Sequence, residues 1–187
     1  MTSAPPQSMT LEAFLQLPNI DESPAWEYSK GVILHNPMGG SKHSLLQKGL
    51  IAAVDMLDSA YEAFQELRCT FDGRSVVPDV AIVASQRLPI DEKGDISSSG
   101  IKFALAWVVE ILSPNQSQTR VTGNILHCLQ HGTRLGWPID PEERSVLCCG
   151  PDRLPVLVEG TALLPCLQEV DRELPAEAIF RWLRRRA

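Results

Sequence analysis

The sequence predicts an α/β fold in which a mixed β-sheet is flanked by α-helices. The most apolar segment of the 187-residue chain is 104–112, which has the composition of a buried central strand. Leucine, isoleucine and valine recur at helical spacing from Leu45 to Leu57 and predict a long amphipathic helix. Asp72 and Gly73 separate two strand-like segments and favour a hairpin turn. Strands interleaved with a few helices imply a mixed sheet with helices packed against it.

In the first half of the chain, cap and turn signals define further elements. Thr10 opens a short helix that ends before Pro18. Ser41 is placed to cap the long helix. The remaining strand candidates are 26–28 and 31–34, joined by a tight turn, and 64–71 and 75–83, which we expect to be antiparallel neighbours.

The second half continues the alternation. Residues 86–102 are polar and contain glycine and serine, which predicts a surface loop. After the central strand, a helix over 119–131 ends at Gly132. Strands follow at 135–139 and 145–149, and a last helix starts near Pro175.

The composition predicts one cytoplasmic domain over 1–187, with residues 1–8 as a flexible N-terminal tail. Hydrophobic residues make up 44% of the chain, which is enough for one core. The first nine residues do not form a signal peptide, and no apolar segment is long enough to span a bilayer. The five cysteines form no CxxC pair and indicate reduced core residues.

The net charge of −6 argues against tight non-specific binding of nucleic acid, which relies on lysine and arginine at phosphates. The charge is uneven, because the C-terminal segment 181–186 contains four arginines. A solvated helix end that complements the helix dipole explains this cluster better than a DNA contact does.

Two carboxylates interrupt segments that otherwise belong in a core. Glu110 lies in the apolar central strand, and Asp79 is the single acid of 76–83. A buried carboxylate is costly unless it is paired or bound to a metal. Each acid alone has a structural explanation, an arginine partner for Glu110 and a turn cap for Asp79. Together, on neighbouring buried strands, they repel unless a cation lies between them, and oxygen ligands favour Mg²⁺ or Mn²⁺ over zinc.

Four short motifs occur in an order that is itself informative. They are Trp26-Glu-Tyr-Ser-Lys-Gly-Val32, Val77-Pro-Asp-Val80, Val108-Val-Glu-Ile-Leu-Ser-Pro114 and Gly132-Thr-Arg-Leu-Gly-Trp-Pro-Ile-Asp-Pro141. The order and the residues of these motifs resemble those of the Uma-two family, and the resemblance covers nearly the whole chain. That family is similar to the PD-(D/E)XK restriction-endonuclease superfamily. The resemblance implies a restriction-endonuclease-like core with Mg²⁺-dependent phosphodiester hydrolysis.

The resemblance also implies a metal site. Asp79 and Glu110 would be the principal ligands, Glu27 a third acid, and the backbone carbonyl of Ile111 a further ligand of Mg²⁺ or Mn²⁺. Such a metal orients a water, lowers its pKa and neutralises charge on the phosphate.

One position departs from the superfamily pattern. Where many members carry a lysine, on the helix after the Glu110 strand, alignment places Asn124, which cannot carry positive charge. Arg120 lies one helical turn earlier on the same face and is a candidate replacement. We therefore take Arg120 and Asn124 as candidate catalytic residues beside the three acids.

Two histidine signals are weaker. His127 and His131 have the i, i+4 spacing that can bind zinc, but no further ligands are evident, which favours a structural or surface role. Lys42 and His43 follow a glycine pair at a helix start, where a DNA phosphate contact is the alternative to a plain helix start.

The first functional hypothesis is a Mg²⁺-dependent endonuclease that cuts DNA, and the family resemblance suggests a homodimer. The alternative is a catalytically degenerate nuclease fold that serves as a binding or structural module, because Asn124 replaces the lysine. Metal-assisted hydrolysis of a smaller phosphate ester is a third possibility.

Overall fold

The computed structural model describes residues 9–37, 39–56, 60–97, 100–114, 116–170 and 173–184. The tail expected over 1–8, the helix position Leu57 and the final arginines at 185 and 186 lie outside the described residues. In the described ranges, no helix is long and apolar enough to cross a membrane.

The elements alternate along the chain as the sequence predicts. The helices of the described ranges are α1 (Leu11–Leu15), α2 (Ser41–Asp55), α3 (Gln118–Gln130) and α4 (Ala176–Arg181). The strands are β1 (Trp26–Ser29), β2 (Val32–His35), β3 (Tyr61–Gln65), β4 (Cys69–Phe71), β5 (Arg74–Val76), β6 (Val80–Ala84), β7 (Trp107–Ile111), β8 (Leu135–Asp140), β9 (Ser145–Cys148) and β10 (Val156–Glu159).

The strands form two sheets, and the larger one is mixed. Its six strands run in the order β10-β9-β8-β7-β6-β3, and the smaller sheet has the order β2-β1-β5-β4. Strands β7 and β8 pair in parallel, with α3 as the crossover between them, and the other pairs are antiparallel. The mixed α/β fold predicted from the sequence is therefore confirmed.

The two faces of the larger sheet have different covers. On one face, α2 and α4 contribute residues such as Leu50 and Phe180 to a core that includes Trp107 and Val109 of β7. On the other face, Val108 packs with residues of α3 and of the smaller sheet. Because side chains alternate along a strand, Glu110 shares the face of Val108, beneath α3.

Arg68 fastens the N-terminal segment to the hairpin of β4 and β5. Its guanidinium lies 2.5 Å from the Asp21 carboxylate and donates to the carbonyl oxygens of Ile20 and Trp26 and to Ser75 Oγ. This side chain thereby fixes the start of β1, the strand that carries Glu27.

The prediction that 64–71 and 75–83 are antiparallel neighbours is confirmed, because β4 pairs with β5 and β3 pairs with β6. Each segment, however, forms two short strands in different sheets and not one long strand. The hairpin turn at Asp72 and Gly73 is present, with φ of 46° and 74°, but it joins only β4 and β5. Strands β3 and β6 pair with each other in the larger sheet. Between β3 and β4 the chain passes from the larger to the smaller sheet near Glu66, whose φ is 49°. Between β5 and β6 it returns near Pro78, which lacks a backbone donor.

Three smaller differences concern a helix cap, an additional strand and a loop. Gly40, not Ser41, is the N-cap of α2, and no side chain caps that helix. Strand β10 was not predicted, because its apolar residues Val156 and Leu157 lie exposed on an edge strand without a hydrophobic alternation. The loop over 86–102 is mostly irregular, although it begins within a short 3-10 helix at Ser85–Arg87.

Candidate active site: a buried acid cluster

Asp79 and Glu110 meet because their strands are neighbours. Asp79 immediately precedes β6, Glu110 lies on β7, and Val80 pairs with Val109. The Asp79 carboxylate accepts a hydrogen bond from the backbone N–H of Ile111 through Oδ2 at 2.6 Å. The antiparallel register thus brings both acids to the same end of the two strands.

Glu27 joins them from the smaller sheet. Its side chain is only 3% exposed, and Oε1 accepts a hydrogen bond from the backbone N–H of Val77 at 2.9 Å. Oε2 forms a salt bridge with Arg120, also at 2.9 Å. A buried carboxylate with these partners avoids most of the desolvation cost that an unpaired one would carry.

Asn124 connects Glu27 to Glu110. Its Nδ2 lies 3.3 Å and 3.2 Å from the two Glu27 carboxylate oxygens and 3.3 Å from Glu110 Oε1. Ser117 caps α3, and the helical spacing then places Arg120 and Asn124 one turn apart on the face toward the acids. The position where the family resemblance leads one to expect a lysine is therefore in direct contact with two of the three acids.

The guanidinium of Arg120 has three protein acceptors among the described residues. Besides Glu27, it donates to the carbonyl oxygen of His35 at 2.6 Å and to Asn36 Oδ1 at 2.8 Å. Asn36 in turn donates to the carbonyl oxygen of Val77 at 3.1 Å. Arg120 thus lies within the acid cluster, and its charge is directed mainly at Glu27.

His43 and Gln47 complete the surroundings of Asp79. His43 Nε2 lies 3.2 Å from Asp79 Oδ1, its Nδ1 lies 3.1 Å from Ser113 Oγ, and Gln47 donates to the Asp79 carbonyl oxygen at 2.8 Å. Burial lowers the pKa of His43, but the hydrogen bond and the charge of Asp79 outweigh burial, so the pKa is raised. The sequence contained a signal for this pair, because two polar residues four positions apart interrupt the buried face of α2.

The cluster carries an excess of negative charge. The pKa of Glu110 is raised well above its ordinary value, first by burial and then by the charges of Asp79 and Glu27, against the opposing effects of Asn124 and Arg120. A raised pKa means that the ionised carboxylate is destabilised where it lies. A divalent cation would relieve that repulsion, and a set of oxygen donors fits a hard cation such as Mg²⁺ or Mn²⁺. Asp79 and Glu110, with the adjacent Ile111 peptide, are the residues able to hold it.

A cavity of about 160 Å³ leads to Asp79. Asn36, His43, Gln47 and Asp79 contribute to its wall, whereas Glu27 and Glu110 do not. Among the residues that the structure describes along this wall, none is a lysine or an arginine. The approach to the acids is therefore polar but not cationic.

A family model described as "Putative restriction endonuclease", Uma2, matches residues 11–177. The chain belongs to the Uma2 family. It is also similar to the crystal structure of a "putative nuclease belonging to DUF820" from Anabaena variabilis ATCC 29413, with 40% identity and a TM-score of 0.89. The similarity covers 94% of this chain and 99% of that one. No curated protein matches the chain.

A second group of possible ligands lies elsewhere in this Uma2 chain. One group of three potential metal ligands occurs in the described ranges, and it consists of Asp72, His127 and His131. Their ligand atoms all lie within 4.8 Å of one another. In the acid cluster, Glu27 contacts Arg120, Asp79 contacts His43 and Glu110 contacts Asn124. The i, i+4 spacing in the sequence indicates the two histidines but gives no signal for Asp72.

Proposed function

We propose that this Uma2-family chain is a Mg²⁺- or Mn²⁺-dependent endonuclease that hydrolyses DNA phosphodiester bonds. The observation that carries the proposal is the convergence of Asp79 and Glu110 beside the buried Glu27. The charges of Asp79 and Glu27 disfavour the ionised Glu110, and Arg120 offsets only part of them, so the cluster is suited to binding a further cation. The Uma2 family and the structural relative from Anabaena variabilis, both described in terms of nucleases, support a nuclease role.

The proposal gives each acid a role. Asp79 and Glu110 hold the cation, and the Ile111 carbonyl oxygen is a further ligand. A divalent cation bound there supplies a Lewis acid for the phosphate and lowers the pKa of a bound water. Glu27 is held by Val77 and Arg120, so its carboxylate keeps a fixed orientation toward the other acids.

Arg120 and Asn124 are assigned positioning roles. Asn124 donates to Glu27 and Glu110 and sets the separation of these two carboxylates. Arg120 compensates part of the negative charge of Glu27, which leaves Asp79 and Glu110 as the carboxylates most in need of a counter-ion. His43 keeps one Asp79 oxygen in place through its Nε2.

Cleavage of supercoiled plasmid and of single-stranded DNA, with Mg²⁺ or Mn²⁺, tests the proposal. We expect cleavage by the wild type and a loss of about 10²-fold or more in Glu110→Gln, which keeps the side-chain shape but removes a ligand charge. Glu62→Gln is the matched control, because Glu62 is an exposed acid on β3. Metal-dependent cleavage that persists in Glu110→Gln contradicts the proposal.

A degenerate module, which keeps the fold without catalysis, is the second candidate. It is favoured by Asn124 and by the engagement of Arg120 with Glu27, His35 and Asn36, because neither residue then offers a free positive charge to a phosphate. If the wild type does not cut DNA, Asn124→Lys distinguishes a damaged catalytic site from a module. Gln118→Lys is the control, since it adds the same charge at an exposed position of α3. Cleavage gained only in Asn124→Lys indicates a damaged catalytic site, and robust wild-type cleavage rules against the module.

A further inference from the structure

The C-terminal half of α3 and the β4–β5 turn form a cluster separate from the acids. His127 and His131 lie on one helix face at i, i+4, and Asp72 reaches them from the turn. Their ligand atoms lie within 4.8 Å of one another. The side chains of Asp72 and His131 are 62% and 30% exposed, so a small solute can reach the cluster from solvent.

The hydrogen bonds of His131 leave one ring nitrogen facing a carboxylate. His131 Nδ1 lies 2.7 Å from the carbonyl oxygen of His127, which can only accept, so Nδ1 carries a ring proton. In the neutral ring, Nε2 then holds a lone pair and faces the Asp72 carboxylate. Two acceptors that face each other require a positive centre, which is a second ring proton in direct contact or a metal ion that both groups bind after a small separation.

His127 offers an independent sign of an absent partner. Its ring is buried, and its Nε2 makes no hydrogen bond within the part of the chain that the structure describes. A buried imidazole nitrogen without a partner costs free energy that a ligand would recover.

We propose that Asp72, His127 and His131 bind a divalent transition-metal ion of the Zn²⁺ class. Two imidazoles and one carboxylate select Zn²⁺, Co²⁺ or Ni²⁺ over the hard cations that suit the acid cluster. Three protein ligands leave a coordination position for water. The bound ion joins the β4–β5 turn of the smaller sheet to the helix that packs on the larger sheet.

Two neighbours shape this site. Phe71 stacks on the His127 ring at a centroid distance of 5.0 Å and fixes its plane. Arg74, which donates to the Gly123 carbonyl oxygen at 3.3 Å, brings positive charge toward the cluster. Asp72 is the carboxylate of the cluster, and its charge offsets that of Arg74. Removal of the Asp72 charge is therefore expected to weaken metal binding strongly.

Titration of the full chain with Co²⁺ in excess Mg²⁺ tests the site, because Mg²⁺ occupies oxygen ligands and does not compete for imidazole. We expect one equivalent of Co²⁺ to bind with a visible absorption band. His131→Gln and Asp72→Asn are each expected to weaken binding by about tenfold or more. The control is His35→Gln, which removes an exposed histidine outside the cluster and is expected to leave Co²⁺ affinity unchanged.

Thermal unfolding gives a second readout, since a metal that binds only the folded state raises the Tm. Zn²⁺ is expected to raise the Tm of the wild type and of His35→Gln, but not that of His131→Gln. Equal Co²⁺ affinity in the wild type and both cluster variants overturns the proposal. It is also overturned if Glu110→Gln alone loses Co²⁺, which would place the ion among the acids, or if a thiolate charge-transfer band identifies cysteine ligands.

Discussion

The two halves of α3 face contrasting surroundings. In the N-terminal half, Arg120 and Asn124 are enclosed with carboxylates, and their donor groups are engaged by protein acceptors. In the C-terminal half, His127 keeps a nitrogen without a partner in the described chain, and His131 meets an exposed acid. Within about two turns, the functional groups beside this helix change from buried carboxylates to imidazoles close to solvent. The difference implies that removing a polar group enclosed with the carboxylates changes folding stability more than removing one at the exposed end of the helix.

The largest effect is expected for Arg120→Ala. This change leaves the Glu27 carboxylate, 3% exposed, without its counter-ion, and loss of one partner of a buried ion pair costs about 3–5 kcal/mol. Urea denaturation of wild type and variant measures the cost. In a Glu27→Gln background the same change should cost much less, because no buried charge is stranded. Equal losses in the two backgrounds would mean that Arg120 acts by packing alone.

A smaller effect, of opposite sign, is expected for Glu110→Gln in metal-free buffer. The folded-state pKa of Glu110 is raised above its ordinary 4.5, so the folded protein retains a proton that the unfolded chain releases. Stability therefore falls as pH rises from about 4.5 toward the raised pKa. At pH 8 the glutamine variant should be more stable than the wild type by on the order of 1 kcal/mol.

Unfolding measured at pH 5 and pH 8 in the presence of a chelator checks this sign. The gain from Glu110→Gln should be larger at pH 8 than at pH 5, and Glu62→Gln should show no such change. A Glu110→Gln variant less stable than the wild type at pH 8 would mean that the ionised carboxylate stabilises the metal-free fold.

The smallest effect is expected for Asp72→Asn in metal-free buffer. Asp72 is 62% exposed, and exposed ion pairs contribute about 0.2–1 kcal/mol. The change in unfolding free energy should lie in that range and shrink as salt is added. A loss comparable to that of Arg120→Ala would remove the contrast between the two halves of the helix.

Local sequence signals predicted most of the fold. The apolar composition of β7, the end of α3 before Gly132 and the Asp72–Gly73 turn each depend on neighbours in the chain, and the structure has all three. The division of 64–71 and of 75–83 into two strands each was not predicted, because their strand-forming composition is continuous through Glu66 and Pro78. At these residues the chain passes from one sheet to the other. Which sheet a strand joins depends on distant partners that composition does not encode.

Asp79 and Glu110 were predicted from residue types, and Glu27, Arg120 and Asn124 with the help of the family resemblance, but the contact of His43 with Asp79 was not predicted. Glu110 was conspicuous because a charge interrupted an apolar strand. His43 contacts Asp79 from a different element, and Asp72 contacts His131 although the two residues are 59 positions apart in the chain. The first contact follows from the packing of α2 beside β6 and the second from the docking of the smaller sheet against α3, and both depend on the positions of the elements in space.

The bonds from α3 to Glu27 have a consequence for folding. Arg120 and Asn124 lie 93 and 97 positions from Glu27 in the chain. Contacts over such separations form late, because much loop-closure entropy is lost before they contribute, whereas the β4–β5 hairpin can form early. We therefore expect Glu27 to join the other two acids late in folding, so that assembly of the acid cluster coincides with completion of the fold.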